Sequence, residues 1–329
     1  MSKLRKLLYP FAIVYDVVTR VRNFCYDTGV FKSVSYNIPI IAVGNLSVGG
    51  TGKSPMIEYL IRLLLPEGQL ATLSRGYKRQ SEGFVLAHSN STAEEIGDEP
   101  MQFHSNFPKI AVAVDANRQH GIQQLQKLVN PDVILLDDAF QHRKVTAGFY
   151  VLLTKYNDLF VDDLLLPAGN LRESKRGASR ADVIVVTKCP NNLSASEQQV
   201  VIKKLNVAQK VFFTSIGYGN EVIGDKEINL NDLVSENVTL VTGIANPKPL
   251  VEYLKSKQLQ FEHLAYKDHH NFTDKQLEEL SKKRLILTTE KDYMRLKDKI
   301  KNVYYLPIVT EFISDELDFQ DAIRSFVKK

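Results

Sequence analysis

Eight residues constrain this chain more than any other stretch: Ser47-Val48-Gly49-Gly50-Thr51-Gly52-Lys53-Ser54, shortly after the apolar run 39–43. An apolar strand that ends in a glycine-rich turn and passes into a helix near Lys53 aims successive backbone N–H groups at one point, and the helix dipole adds positive potential there. The stretch reads as a phosphate-binding loop, with its cradle running from Ser47 to Ser54. In such a loop Lys53 reaches the terminal phosphates and the Ser54 hydroxyl ligates magnesium. The general pattern has Gly in the first position, where this chain has Ser47. The bland alternative, a glycine-rich turn that binds nothing, does not account for Lys-Ser at the helix start.

A magnesium-bound triphosphate also needs an acidic partner at the end of a neighbouring strand. Residues 133–136 are a short, wholly apolar run, and Asp137-Asp138 follow at its carboxyl end, where open α/β sheets collect ligands. Both carboxylates are candidate metal ligands, because the preceding four residues commit the segment to the core.

Apolar strand-like runs at 38–43, 70–73, 110–114, 133–136, 150–153 and 183–187 alternate with amphipathic stretches, which predicts a mostly parallel sheet flanked by helices. A helix at 196–205 and a strand at 211–218 follow, then a polar, turn-rich linker at 219–236. Beyond it, strands at 238–244, 285–288 and 303–309 and helices at 247–257 and 273–282 suggest a second, smaller α/β domain, closed by a helix at 318–328 for which packing on the core is the alternative. The expected fold is thus a P-loop NTPase-like α/β sheet with a second α/β domain, divided as an N-terminal segment 1–32, a core 33–218 and a C-terminal domain 219–329.

The formal charge of +4 is localised. Lys3, Arg5, Lys6, Arg20, Arg22 and Lys32 stand against Asp16 and Asp27 in the first 32 residues, so the remainder of the chain is formally neutral. Leu4, Leu7, Leu8, Phe11, Val14, Tyr15, Val18, Val21 and Cys25 recur there at helical spacing, the pattern of a basic amphipathic helix. Its uncharged stretch is far shorter than the roughly 18 to 20 residues that span a bilayer, so it is expected to lie on a membrane surface. A helix packed on the protein's own core would show the same periodicity, and a signal peptide is disfavoured by the lack of a small-residue cleavage site. The two cysteines, Cys25 and Cys189, provide neither a disulfide framework nor metal-ligand spacing. Balanced charge outside the first segment argues against nucleic acid as a partner, and no obligate protein partner is evident.

Gly97-Asp98-Glu99-Pro100 places two carboxylates at a helix start, where capping competes with a catalytic role. A kinase needs a carboxylate to orient the acceptor hydroxyl and take its proton, and Asp98 is the candidate. Asp268-His269-His270 precedes Thr273 to Gln276, a capping-box pattern, so these histidines sit ahead of a helix N-terminus, where a solvated role competes with proton transfer. Gln141-His142-Arg143, Arg172 and Lys175-Arg176 supply groups for phosphate contact or a solvated face. Thr187-Lys188-Cys189-Pro190 has the look of a guanine-reading Asn-Lys-x-Asp element without its outer residues, which weakens the rival reading as a metallochaperone-type regulatory GTPase. A non-catalytic membrane adaptor with a structural loop is the other rival.

In this order the motifs resemble the tetraacyldisaccharide 4′-kinase family. The matching segments are residues 43–55, with Ser in the loop's first position, Ser74-Arg75-Gly76-Tyr77, Gly97-Asp98-Glu99-Pro100, residues 137–142, Leu171-Arg172-Glu173, Arg180-Ala181-Asp182, residues 243–247, Asp268-His269-His270 and residues 288–292. Ser54 stands where the family often has Thr, and Ala139 where it often has Gly. The resemblance implies transfer of the ATP γ-phosphate, with Mg2+, to the 4′-hydroxyl of a tetraacylated glucosamine disaccharide 1-phosphate, in a peripheral enzyme at the cytoplasmic face of the inner membrane. It implies Asp98 as base, assisted by a histidine of the Asp-His-His segment. Which of His269 and His270 assists stays open, with His269 the choice and His270 kept as a substrate-side residue. His142 and Arg172 carry over as substrate or phosphate contacts.

Overall fold

The computed structural model describes residues 5, 7–244, 246–268 and 270–328. Lys3, Leu4, Lys6 and His269, all named above, and Ala245 of the segment 243–247 lie outside the described residues. The chain divides into two compact units, Met1–Ile216 with Thr310–Lys329, and Gly217–Val309. The sequence reading set one boundary near 218; here the chain enters the second unit and returns, so the last strand and the closing helix Glu316–Val327 belong to the first.

Eight strands of the first unit, β1 (Ile40–Asn45), β2 (Leu70–Ser74), β3 (Val85–Leu86), β4 (Ala111–Val114), β5 (Val133–Asp137), β6 (Phe149–Lys155), β7 (Val183–Thr187) and β8 (Lys210–Tyr218), join a returning strand, Ile308–Phe312. The sheet order is returning strand, β8, β7, β6, β1, β5, β2, β4, β3. The pairings of β1 with β5 and β6, β2 with β4 and β5, and β7 with β6 and β8 are parallel; β3 pairs antiparallel to β4. β1 is apolar throughout because both sheet faces are covered: Ile41 and Val43 pack with Met56, Ile57 and Leu60, whereas Ile40 and Ala42 pack with Leu73, Ile122 and Leu125. From β1 the chain proceeds to β2 on one side and later to β6 on the other. The end of β1 is therefore a topological switch point, the place where open α/β sheets bind ligands.

The closing helix is amphipathic, and it buries Phe319 and Ile323 in the same core as Ile41 and Val43, with Phe319 5.2 Å from the Phe212 ring. The second unit holds a six-stranded sheet built from β9 (Glu221–Ile223), β10 (Glu227–Asn229), β11 (Val238–Thr242), β12 (Phe261–Ala265), β13 (Leu285–Thr288) and β14 (Val303–Tyr305) in the order β10, β9, β14, β13, β11, β12. Its hairpin β9–β10 occupies the stretch read from sequence as a linker. Pro307 interrupts the run 303–309, so that run supplies β14 and then the strand that returns to the first unit.

Gly44 in β1 is a packing requirement. A Cβ there would stand 2.6 Å from the Phe140 Cβ and 2.9 Å from the Phe140 nitrogen, backbone that cannot move aside. Gly44→Ala should therefore cost about 1–3 kcal/mol, read as a melting temperature lower by roughly 3–10 °C. An unchanged melting curve contradicts this packing account.

Candidate active site

The loop after β1 is held from both sides. The Val48 amide donates to the Asn170 carbonyl (2.8 Å) and the Arg172 amide to the Leu46 carbonyl (2.7 Å), tying the loop's first residues to the segment before Glu173. Val48, placed in the phosphate cradle by sequence, therefore spends its N–H on structure, and Ser47 is 5% exposed beside it. Inside the loop the Asn45 side-chain Nδ2 donates to Thr51 Oγ1 (2.8 Å), and the Thr187 hydroxyl donates to the Thr51 carbonyl (2.8 Å). Gly49 and Gly52 adopt φ of 106° and 87°, which a side chain would disfavour. Gly52 caps the helix Lys53–Leu64 without any side-chain bond. Among the described residues, no amide from Gly49 to Ser54 donates to a loop or strand carbonyl. Unspent donors in a glycine-rich turn ahead of a helix are the kind of group that meets an anion.

Asp138 lies beside that cradle. Lys53 Nζ is 3.6 Å from its Oδ1, and Arg172 Nη1 is 3.0 Å from each of its oxygens. Burial alone would raise the Asp138 carboxyl, but the charges of Lys53 and then Arg172 outweigh it and hold the group below the usual carboxylate range. Its neighbour behaves oppositely. Burial, then the negative charges of Glu99 and Asp138, push Asp137 up to about 7, against the pull of Lys53 and Arg118. Ser74 Oγ is 3.4 Å from Asp137 Oδ2, and the Arg118 guanidinium donates to the Asp137 carbonyl (3.1 Å). Asp137 Oδ1 is buried without a partner. No cluster of three or more His, Cys, Asp or Glu able to hold a metal occurs among the described residues. The orphaned oxygen beside a hydroxyl-bearing loop fits a cation such as Mg2+, which takes one or two carboxylates and completes its shell with phosphate and water.

Asp98 is the first residue of the helix Asp98–Asn106, and the cap position is Gly97, so its exposed carboxylate is not spent on capping. A Cβ on Gly97 would lie 3.3 Å from the Tyr77 carbonyl, which seats this helix start against the loop that follows β2, on the β5 side of the site. The charge of Glu99 felt at Asp137 locates the same end of the helix near the acidic pair. His142 is driven down to about 4, by burial first and then by Arg118 and other cations. At neutral pH its imidazole is uncharged; it can offer a hydrogen bond to substrate but no charge, and its buried Nε2 has no partner. Arg172 is engaged by Asp138 and its carbonyl accepts the Tyr15 hydroxyl (2.8 Å). In the second unit His270 stacks on Tyr266 at 4.7 Å, and its Nε2 lies 2.9 Å from Gln276 Oε1 of the Thr273 capping box. Buried Asp292 accepts from the Gly243 amide (2.8 Å) nearby, fixing the turn after β11.

Sequence reasoning missed Glu173 and Arg118 as working parts. Glu173 is 1% exposed and receives hydrogen bonds from Asn23 (2.8 Å), Gln141 (3.1 Å) and Arg180 (2.8 Å). Asn23 and Gln141 reach Glu173 from distant segments and Arg118 reaches across to the Asp137 carbonyl, so neither residue carries a local signal beyond the Leu-Arg-Glu triplet. The helix Tyr9–Asp27 is attached by its polar side: Tyr15 to Arg172, Arg22 to the Gln141 carbonyl (2.7 Å), Asn23 to Glu173 and Asp27 to Arg143 (2.7 Å). Phe11, Val14, Val18, Val21 and Phe24 remain exposed. Of the expected stripe, Leu7, Leu8, Phe11, Val14, Val18 and Val21 are exposed, whereas Tyr15 and Cys25 are half-buried, Tyr15 on the attached side. Beside the helix, a cavity of about 270 Å³ is lined by Leu164, Leu165 and Leu171 with Arg20, Lys175 and Arg176. No helix among the described residues is long and apolar enough to cross a membrane.

Fold and site together define a P-loop kinase. The family model described as tetraacyldisaccharide-1-P 4′-kinase (LpxK) matches residues 4–328. The tetraacyldisaccharide 4′-kinase of Flavobacterium johnsoniae is 55% identical, covering 100% of this chain and 99% of its own. That of Bacteroides thetaiotaomicron is 43% identical over 99% and 94% respectively. A crystal structure of LpxK from Aquifex aeolicus in complex with ATP matches with a TM-score of 0.83 at 30% identity, covering 98% of this chain and 99% of that one. The chain belongs to the tetraacyldisaccharide 4′-kinase family.

The two aspartates give a pH signature. An aspartate whose folded pKa is raised to about 7 lowers stability as pH climbs from its unfolded value of about 4, and the full cost persists above 7. Without nucleotide or metal, the melting temperature of Asp137→Asn relative to the parent should rise between about pH 4 and pH 8, by the equivalent of a few kcal/mol. A difference that does not change with pH contradicts the raised pKa.

Proposed function

We propose that this chain transfers the γ-phosphate of Mg-ATP to the 4′-hydroxyl of a tetraacylated glucosamine disaccharide 1-phosphate, working as a peripheral protein at the cytoplasmic face of the inner membrane. The observation that carries the proposal is the convergence of Lys53 and Arg172 on Asp138 beside a loop whose amides from Gly49 to Ser54 are unspent. The loop amides and Lys53 would hold the β- and γ-phosphates and offset the charge that spreads over the transferring group. Ser54, Asp137 and Asp138 are the candidate ligands of a magnesium ion, which when bound neutralises phosphate charge and aligns the transferred group. Arg172, released in part from Asp138 as a cation arrives, would be free to meet a phosphate oxygen.

Asp98 is proposed as the residue that orients the acceptor hydroxyl and receives its proton. Its carboxylate is exposed and unspent on capping, and it begins a helix next to the acidic pair. His269 is proposed as its assistant. His142 would hydrogen-bond the sugar or phosphate as a neutral imidazole, and His270 would serve the substrate side only by leaving Gln276.

A lipid acceptor is supported by the exposed apolar face of the helix Tyr9–Asp27, whose polar face is fastened to Arg172, Gln141 and Glu173. Its apolar side can enter the bilayer interface while Arg20 and neighbouring cations meet anionic headgroups, each worth about 1 kcal/mol. Seating on the membrane would thus bring the bilayer-held substrate directly to the strand tips.

Purified protein incubated with γ-labelled ATP, magnesium and the tetraacyl disaccharide 1-phosphate should label the acylated acceptor and not its deacylated counterpart; no label on either overturns the proposal. In that assay Asp98→Asn should lower turnover by roughly 10²- to 10⁴-fold while ATP still binds, and near-parental turnover removes Asp98 from the chemistry. Phe11→Glu with Val18→Glu, both at exposed positions, should leave the melting temperature unchanged and abolish recovery on anionic vesicles. Undiminished vesicle recovery contradicts the interfacial role.

A further inference from the structure

Two helices begin beside the acidic strand tip. Helix Lys53–Leu64 opens with Lys53 and Ser54 of the phosphate loop, and helix Asp98–Asn106 opens with Asp98. Side chains four apart lie one above another on a helix, so Ser54, Glu58 and Arg62 form one stripe and Asp98, Gln102 and Asn106 another. Glu58 joins the two stripes. Gln102 Nε2 donates to Glu58 Oε1 (2.9 Å), Asn106 Nδ2 donates to the same oxygen (3.1 Å), and the Arg62 guanidinium donates to Glu58 Oε2 (2.9 Å). With four residues between levels on each helix, the contact of Glu58 with Gln102 lies about 6 Å, roughly one turn, below both Ser54 and Asp98.

Apolar packing holds these helices together without fixing how each is turned. Phe103 and Phe107 sink into the core that also holds Met56, Ile57 and Leu60, and such burial is non-directional. No side-chain hydrogen bond caps the start of the helix Asp98–Asn106. Direction comes from Glu58, 1% exposed, whose one oxygen receives donors from two successive turns of the stripe that Asp98 heads. Stability alone does not account for a carboxylate there. Burial raises the Glu58 carboxyl above its ordinary value although Arg62 and both amides oppose the rise, and apolar residues of similar volume in place of buried ionic groups are often no less stable.

We propose that Glu58 is a positioning residue for phosphoryl transfer, setting the rotation of the helix Asp98–Asn106 and with it the aim of Asp98 at the acceptor hydroxyl. Buried a turn below the site, Glu58 meets neither nucleotide nor acceptor and acts through Gln102 and Asn106. Because its own helix opens with Lys53 and Ser54, one side chain ties the proton acceptor to the phosphate loop. The inference rests on the reading of Asp98 as the residue that receives the acceptor's proton.

Steady-state kinetics with Mg-ATP and the tetraacyl disaccharide 1-phosphate test it on the parent, Glu58→Met, Glu58→Gln, Gln102→Leu, Asp98→Asn and the double variant Glu58→Met with Asp98→Asn. Glu58→Met keeps the volume and removes the acceptor, so kcat should fall on the order of 10- to 100-fold, the effect of misplacing a reacting group by about 1 Å, while KM for ATP stays within about twofold of the parent. Glu58→Gln keeps an oxygen for Gln102 and Asn106, and Arg62, 45% exposed, can turn to water; its kcat should lie within about threefold of the parent. Gln102→Leu cuts the contact from the other helix and should lower kcat with KM for ATP unchanged, which keeps the proposal testable if Glu58→Met does not fold. In the Asp98→Asn background Glu58→Met should add little, since there is no longer a base to aim. A parental kcat in Glu58→Met or in Gln102→Leu, a Gln variant as slow as the Met variant, a rise in KM for ATP as large as the fall in kcat, or full additivity in the double variant each overturns the positioning role. Near-parental turnover in Asp98→Asn alone overturns instead the reading of Asp98, a result distinct from any of these.

Discussion

The site depends on one arrangement of charge: a carboxylate at the end of a buried strand, Asp138, held between Lys53 of the loop helix and Arg172 of a distant segment. Its backbone sits at φ of 47°, so the chain turns sharply as it leaves β5 and presents the side chain beside the cradle. Because Lys53 and Arg172 neutralise it, the carboxylate stays ionised in partly buried surroundings. The same Arg172 lends its amide to Leu46 and its carbonyl to Tyr15, so one residue links acidic tip, phosphate loop and N-terminal helix. Glu173 extends the link through Asn23, Gln141 and Arg180. The exposed apolar helix is consequently wired by polar contacts to the side chains that order the strand tips.

Two adjacent aspartates thus acquire opposite characters. Asp138 has two cations at hand, whereas Asp137 is enclosed, faces Glu99 and its own neighbour, and has one oxygen without a partner. A buried carboxylate in that position favours either a proton or a cation. Stability is conceded at the place where a ligand would restore it, a common arrangement at functional sites.

Much of this was legible in the sequence because the signals are local. Glycines followed by Lys53-Ser54, and four apolar residues ahead of Asp137-Asp138, fix a loop and a strand tip through short-range geometry. Strands buried on both faces are continuous apolar runs, so β1, β5 and β7 were readable, as was the capping box at Thr273. Three kinds of feature were not. The short hairpin β9–β10 lies in a polar stretch whose strands are too brief to show alternation. The chain's return to the first unit depends on which core accepts Phe319 and Ile323, a question of packing. The link from Glu173 to Asn23 and that from Arg118 to the Asp137 carbonyl join segments well apart in the chain. For Val48 the local pattern misled, since its amide is taken by Asn170, a partner no motif names.

The central claim is that the loop amides and the acidic strand tip form a single site for a triphosphate and its cation. Calorimetric titration of ATP into the purified full-length protein, with magnesium and again with magnesium chelated, tests it most directly. The account predicts saturable binding that weakens by well over an order of magnitude when the cation is removed, and that is lost with magnesium present in Lys53→Ala. Binding of equal strength with and without magnesium, or no binding by folded protein, would contradict it.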